Sequence, residues 1–286
     1  MTDSRFFSYL CAQRKALQFI NNRKAQRLIN KNKICIMDLK EMRENAINNI
    51  DLSSVGTSRR DAELEMSQAF PILMRKVYGW MAMALVITGL TAYYVATSPQ
   101  LVSLIFTHQV VLWGLIIGEL ALVFGLSAAI NRLSLSMATL MFVVYSVING
   151  ATLSCIFFIY TMSSIGSVFF ITAGTFAVMA LYGYFTKSDL SSIGKICFMG
   201  LIGLIIATVV NIFLKSSGLE LILSYVGVLI FVGLTAWDSQ KIKELMLTAP
   251  DAGEGMQKLA LLGALTLYLD FINLFIYLLR IFGRRD

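Results

Sequence analysis

Apolar residues in this chain come in long runs that charged residues scarcely interrupt, and seven such runs can be traced: Val77–Ala96, Val110–Ile130, Met137–Tyr160, Val168–Thr186, Gly194–Leu214, Leu219–Trp237 and Leu259–Leu279. Each is close to the roughly 20 residues that a helix needs to cross a hydrocarbon core at about 1.5 Å per residue. Strands are a poor alternative, because barrel strands alternate apolar and polar positions over about 10 residues and these runs do not alternate. The three prolines, Pro71, Pro99 and Pro250, fall outside the runs, where loops or helix ends are expected. The pattern predicts an all-α membrane protein with seven transmembrane helices, preceded by a flank over residues 1–76 and spanning 77–283.

Composition agrees with this reading. Hydrophobic residues make up 57% of the chain and charged ones 14%, well below the roughly 25% charge of a soluble domain. The four cysteines, Cys11, Cys35, Cys155 and Cys197, have no CxxC spacing, which argues against a structural zinc site or a disulfide framework. The single histidine, His108, sits before the second run and lacks the convergent donors that a metal site needs. No cofactor and no nucleic-acid partner is expected. The bilayer itself is the first partner.

Charge also orients the chain. Residues 1–36 hold eight Lys/Arg against one acid, Asp3, with no apolar segment of the kind that makes a signal peptide. Either this is a basic helix for an anionic membrane surface, or translation starts at Met37 and the segment is an upstream extension, which is the reading preferred. With seven spans, one side of the membrane receives Arg59, Arg60, Arg75, Lys76, Arg132, Lys187, Lys195, Lys241, Lys243 and Lys258. The other side receives Lys215 and the C-terminal Arg280, Arg284 and Arg285. The excess places the N-terminus in the cytoplasm. The basic C-terminus opposes that count, so the last run either crosses despite its charges or re-enters.

Three acids lie where lipid should not tolerate them. Glu119 and Asp270 are deep inside runs, and Asp238 stands where the sixth run meets its loop. A carboxylate at mid-bilayer costs about 2.5–3.5 kcal/mol on insertion scales unless it faces the bundle interior or water. In the last run, Thr266, Asp270, Asn273, Tyr277 and Arg280 fall on a helical stripe less than about 90° wide, which predicts an inward face lining a pathway. In the second run Glu119 stands beside Gly114 and Gly118, a small-xxx-small spacing that predicts a close helix contact there. The sixth helix is expected to continue past Asp238 to about Leu247, with Lys241 and Lys243 reaching the membrane surface.

Three segments resemble the transmembrane Bax inhibitor-1 family: Phe70–Ala96, the Gly233-Leu-Thr-Ala-Trp-Asp-Ser-Gln-Lys-Ile-Lys243 stretch, and the helix from Leu267 to Arg280 that contains Asp270 and Asn273. The resemblance covers about Met66 to Gly283, and residues 1–36 have no counterpart in it. It implies two three-helix layers around a central C-terminal helix and a calcium leak whose conformation responds to pH, in a bacterial inner membrane. It maps a pair of sensing aspartates onto Asp238 and Asp270, an acid of the second helix onto Glu119, and a gate arginine, by looser spacing, onto Arg132. Asn273 and Tyr277 would line the pathway.

The chemistry suits these residues independently. Calcium prefers oxygen ligands, and two or three carboxylates without a full cage would hold it weakly, as conduction requires. Two carboxylates drawn together in a partly dry site resist double ionisation, so that the pair shares a proton and titrates as a unit. The rival readings are fewer. An intramembrane aspartyl protease would place its acids in Tyr-Asp and Gly-x-Gly-Asp, whereas these follow Ala-Trp and Tyr-Leu. A proton-coupled transporter would show repeats and broken helices. An interaction protein that modulates a membrane protease or a stress or death pathway, binding other membrane proteins, fits the same acids.

Residues 1–36 are expected to be dispensable. A chain starting at Met37 should insert into membranes and carry ions as well as the full-length one. Loss of either property would make the basic segment a working membrane or partner element.

Overall fold

A computed structural model describes residues 52–249 and 252–284, and these are helical almost throughout. The basic segment 1–36 and the start at Met37 lie outside the described residues, as does Pro250. Among the described residues eight α-helices follow in order: α1 (Leu52–Thr97), α2 (Pro99–Thr107), α3 (Gln109–Ala129), α4 (Leu135–Leu153), α5 (Met162–Phe185), α6 (Ser191–Leu214), α7 (Ser217–Leu247) and α8 (Glu254–Phe282), with a short 3₁₀ turn at Ser154–Phe158 after α4. All except the nine-residue α2 are long and apolar enough to cross a membrane, and the chain is a multi-pass integral membrane protein.

The seven spans agree with the hydrophobic runs, and the differences lie at their ends. Pro71 is inside α1 rather than before it. The preceding part of α1 therefore continues as helix beyond the apolar run. The third run is not one helix: α4 stops at Leu153 and tightens into the 3₁₀ turn. The stretch between the first two spans holds the extra helix α2, with Pro99 at its first turn, where the missing N–H costs nothing. His108 is the exposed joint between α2 and α3. Helix α7 runs unbroken to Leu247, as nothing in its sequence interrupts it.

Helix α8 is the centre. Every residue of its most apolar 18-residue window is buried, against 22% for α5 and α6. It touches α1, α4, α5 and α7. On one side α4 packs on both α1 and α3; on the other α7 packs on both α5 and α6. Two three-helix groups thus enclose one helix. Lipid offers helices no hydrophobic drive to associate, so close packing must hold them together. Glycines supply part of it, two of them directly against a neighbouring backbone. At Gly150 a Cβ would come within 2.6 Å of the Thr88 carbonyl oxygen on α1, and at Gly183 it would collide with the Ala236 carbonyl on α7.

Contacts at the two ends show that α8 crosses completely. At the face of the α3–α4 turn, Leu135 N donates to Glu254 Oε1 at 2.9 Å and Lys76 Nζ donates to Gln257 Oε1 at 2.7 Å. At the opposite face Thr161 N donates to the Arg284 carbonyl at 3.1 Å, and Arg284 N donates to Ser164 Oγ at 3.0 Å. The last run is therefore a full span and not a re-entrant one, and its arginines end on the face away from the basic turns. The loop charges of the sequence lead us to expect a cytoplasmic N-terminal face, and on that expectation a reporter fused after Asp286 should be active only outside the cytoplasm. A cytoplasmic signal from that fusion would reverse the orientation.

Candidate functional site

Asp270 and Asp238 stand on the two helices that form the centre of the bundle. Asp270 is fully buried at mid-length of α8, and Asp238 is 2% exposed on α7. Gly263 lies against Ile242, and Tyr277 stacks on Phe231 at 5.8 Å. These pairings fix an antiparallel register that brings Asp238 level with the 266–270 turn of α8. Tyr277 is seven residues from Asp270, about 20° away around the helix, so Asp270 shares the face of α8 that meets α7. Asp238 is not the solvated helix end that its position beside a loop allowed.

The segment that carries Asp238 is held from its α5–α6 side. Gln240 Oε1 accepts from Leu190 N at 2.9 Å while its Nε2 donates to the Ser188 carbonyl at 2.8 Å. Lys243 Nζ donates to the Tyr184 carbonyl at 2.6 Å and lies 5.6 Å from that ring, and Lys241 Nζ lies 5.1 Å from the Trp237 ring. The Lys241 contact thus stays on its own helix, whereas Lys243 fastens α7 to α5 just beyond Asp238.

Glu119 belongs to a different group. It is 2% exposed on α3, and Thr152 Oγ1 of α4 lies 2.5 Å from its Oε1. On the same side of the bundle lie the buried rings of Tyr145 and Tyr268, edge-on at 5.8 Å. Tyr268 Oη is 2.7 Å from Thr88 Oγ1 of α1 and 2.9 Å from Asn149 Oδ1 of α4, and Thr88 Oγ1 is 2.9 Å from the Ser146 carbonyl. Each hydroxyl has one hydrogen to donate. If Tyr268 serves Asn149, Thr88 must serve Tyr268; if Thr88 serves Ser146, Tyr268 must turn to Thr88. The chain of hydroxyls has two directions. Tyr268 and Asp270 are two residues apart, about 200° around α8, so the helix presents one polar group to each layer.

The glycine contact expected beside Glu119 is absent. Among the described residues nothing lies within 4 Å of a Cβ placed at Gly114 or at Gly118. The buried side of α3 is set by Ile116, Glu119, Val123 and Leu126, which turns both glycines outward. The contact seen on Glu119 comes from Thr152 of α4 and not from a helix crossing at glycine. Arg132 sits in the exposed α3–α4 turn. Asn273 Nδ2 donates to its own helix at the Leu269 carbonyl, 2.7 Å away. Among the described residues no three His, Cys, Asp or Glu gather as metal ligands, so Glu119 does not join the two aspartates in one cluster. Thr88, Asn149, Thr152 and Tyr268 were not singled out in the sequence. An asparagine inside an apolar run was the signal available for them.

Residues 71–286 match the family model described as inhibitor of apoptosis-promoting Bax1. The chain is 49% identical over 229 residues to the inner membrane protein YbhL of Escherichia coli (strain K12), covering 79% of this chain and 97% of that one. It is 44% identical over 212 residues to an uncharacterized protein of Borreliella burgdorferi, covering 74% and 91%. Protein RP147 of Rickettsia prowazekii is also 44% identical, over 214 residues, covering 74% and 89%.

Tyr268→Phe keeps the ring packing on Phe142 and Tyr145 and removes only the hydroxyl that joins α8 to α1 and α4. Buried hydrogen bonds between membrane helices are worth about 0.6–2 kcal/mol. The variant should unfold in detergent with a loss of stability in that range, and an unchanged transition would mean that the hydroxyl contributes nothing to holding the layer.

Proposed function

We propose that this chain, which belongs to the Bax inhibitor-1 family, is a calcium-permeable leak channel whose conductance responds to pH through a proton shared by Asp238 and Asp270. The observation that carries this reading is Asp270, fully buried on a helix enclosed on every side. An acid in such a place is expensive, and the expense is ordinarily met by function along an ion or proton path. Asp238, buried at the same level of the adjoining helix, supplies the second carboxyl. When the pair holds one proton it carries one negative charge; when it loses that proton its attraction for a passing cation rises, and the separation of α7 from α8 responds to the added repulsion.

Calcium enters as cargo and not as a resident metal. Two carboxylates supply hard oxygen ligands but no cage of six to eight, which suits an ion that must leave as readily as it arrives. Glu119 acts as a separate attractive point on the other side of α8, and Asn273 and Tyr277 line the route on the stripe of Asp270. The chain is a channel and not an enzyme, for its acids lack the sequence settings of an intramembrane protease. YbhL is named an inner membrane protein, and we place this chain likewise in a bacterial inner membrane with its basic face in the cytoplasm.

Calcium flux in liposomes as a function of pH tests the reading. Asp238→Asn and Asp270→Asn should each flatten the pH dependence, and the double variant should be little worse than either single one, as a shared proton requires. Glu119→Gln should lower flux at every pH and leave the profile's shape. Both aspartate variants keeping a wild-type profile would return the pair to a structural role.

A further inference from the structure

An aromatic contact joins the two three-helix groups at the face of the α3–α4 turn. Phe70 of α1 stacks on Tyr184 of α5, with ring centres 6.2 Å apart and planes 23° from parallel. Both rings are partly buried against the core. Lys243 of α7 backs the stack: its Nζ donates to the Tyr184 carbonyl at 2.6 Å and lies 5.6 Å from the centre of that ring. Lys243 stands five residues, roughly 7.5 Å along the helix, nearer this face than Asp238. On the opposite face the chain itself joins the groups, through the short turn Ser154–Phe158 between α4 and α5. Here the α3–α4 and α5–α6 turns each stay within one group, and α1 meets α5 and α7 through side chains. Pro71 follows Phe70 directly, inside α1. A proline within a helix removes one backbone hydrogen bond and marks a usual place for the helix to bend. Phe70 and the buried Ala69 stand before that joint, and the buried Leu73, Met74 and Val77 anchor α1 after it.

We propose that the stack of Phe70 on Tyr184, backed by Lys243, is a latch that closes the way from this face to Asp238, and that bending of α1 at Pro71 releases it. The part that concerns ion entry rests on the pathway reading above. The latch itself does not, for it governs the access of water to α7 whatever crosses there. An aromatic pair of this kind favours the closed arrangement by about two- to tenfold. Thermal motion overcomes so small a preference often, and each opening brings water to the level of Asp238. A stack with only a structural part would behave differently. Its loss would loosen the protein as a whole, whereas release of a latch opens one face and leaves the other as it was.

Thiol accessibility of the full-length protein in nanodiscs separates the two roles. With the four native cysteines replaced by serine, Ser239→Cys places a thiol of nearly unchanged size at a fully buried position beside Asp238. Ser154→Cys does the same at the opposite face, where Ser154 is also fully buried. Phe70→Leu and Tyr184→Leu keep apolar bulk and remove the stack. Each should quicken the reaction of the first thiol with a water-soluble maleimide about two- to tenfold and leave the second thiol unchanged. Tyr184→Phe keeps the stack and should label as the parent does. Pro71→Ala restores the helix hydrogen bond and should slow the labelling. In liposomes Phe70→Leu should raise calcium flux in the same proportion. The proposal is overturned if neither leucine variant quickens labelling at Ser239→Cys, if both thiols quicken together, or if Pro71→Ala speeds the reaction. Quickened labelling at Ser239→Cys alone, in a protein whose wild-type form passes no calcium, would uphold the latch and sink the channel reading instead.

Discussion

The burial of α8 is the constraint on which the rest of the structure depends. Lipid cannot hydrate a carboxylate, so a helix with an aspartate at its midpoint must be kept away from lipid along its whole length. Six other spans do this, three on each side, and they have no hydrophobic drive of their own to gather. Packing at small residues brings them close, and hydrogen bonds at the two faces fix the ends. Glu254 and Gln257 tie the first turn of α8 to the α3–α4 turn and to Lys76, and Arg284 ties the last to Thr161 and Ser164.

Within that enclosure the polar groups are divided. Tyr268 faces α1 and α4, where its hydroxyl meets Thr88 and Asn149 in the neighbourhood of Glu119. Asp270 faces α7. Phe271 and Phe275 fill the side toward α5, edge-on to Phe169 and Phe176. A single helix thus connects an acid group in one layer to an acid pair in the other, with aromatic packing between. Any shift of α8 is felt by both. The polar contacts of the central helix on each side are few and directional, within close apolar packing.

Much of this was legible in the chain itself. Seven runs gave seven spans because the length requirement of a bilayer is strict. The unusual acids stood out for the same reason, since so few polar residues interrupt the runs. Helix α7 was readable past Asp238 because nothing from Phe231 to Lys243 breaks it. What escaped was whatever depends on which way a helix is turned. Gly114 and Gly118 have the spacing of a packing face, yet α3 presents them outward, because the partner that decides the rotation is Thr152 on another helix. The last helix was readable as carrying a polar stripe, but the burial of its leucine side too needs the neighbours. Pro71 inside α1 shows the limit at span ends, where a proline alone does not stop a helix that has polar turns before it.

The central claim is that Asp238 and Asp270 exchange one proton between them. Infrared difference spectra of the purified protein, taken between pH values on either side of the flux transition, count carboxyl protonation directly. The account predicts a protonated-carboxyl band equivalent to one group per chain, absent from Asp238→Asn and from Asp270→Asn and kept in Glu119→Gln. A band that survives both aspartate substitutions, or that vanishes with Glu119→Gln alone, would contradict it.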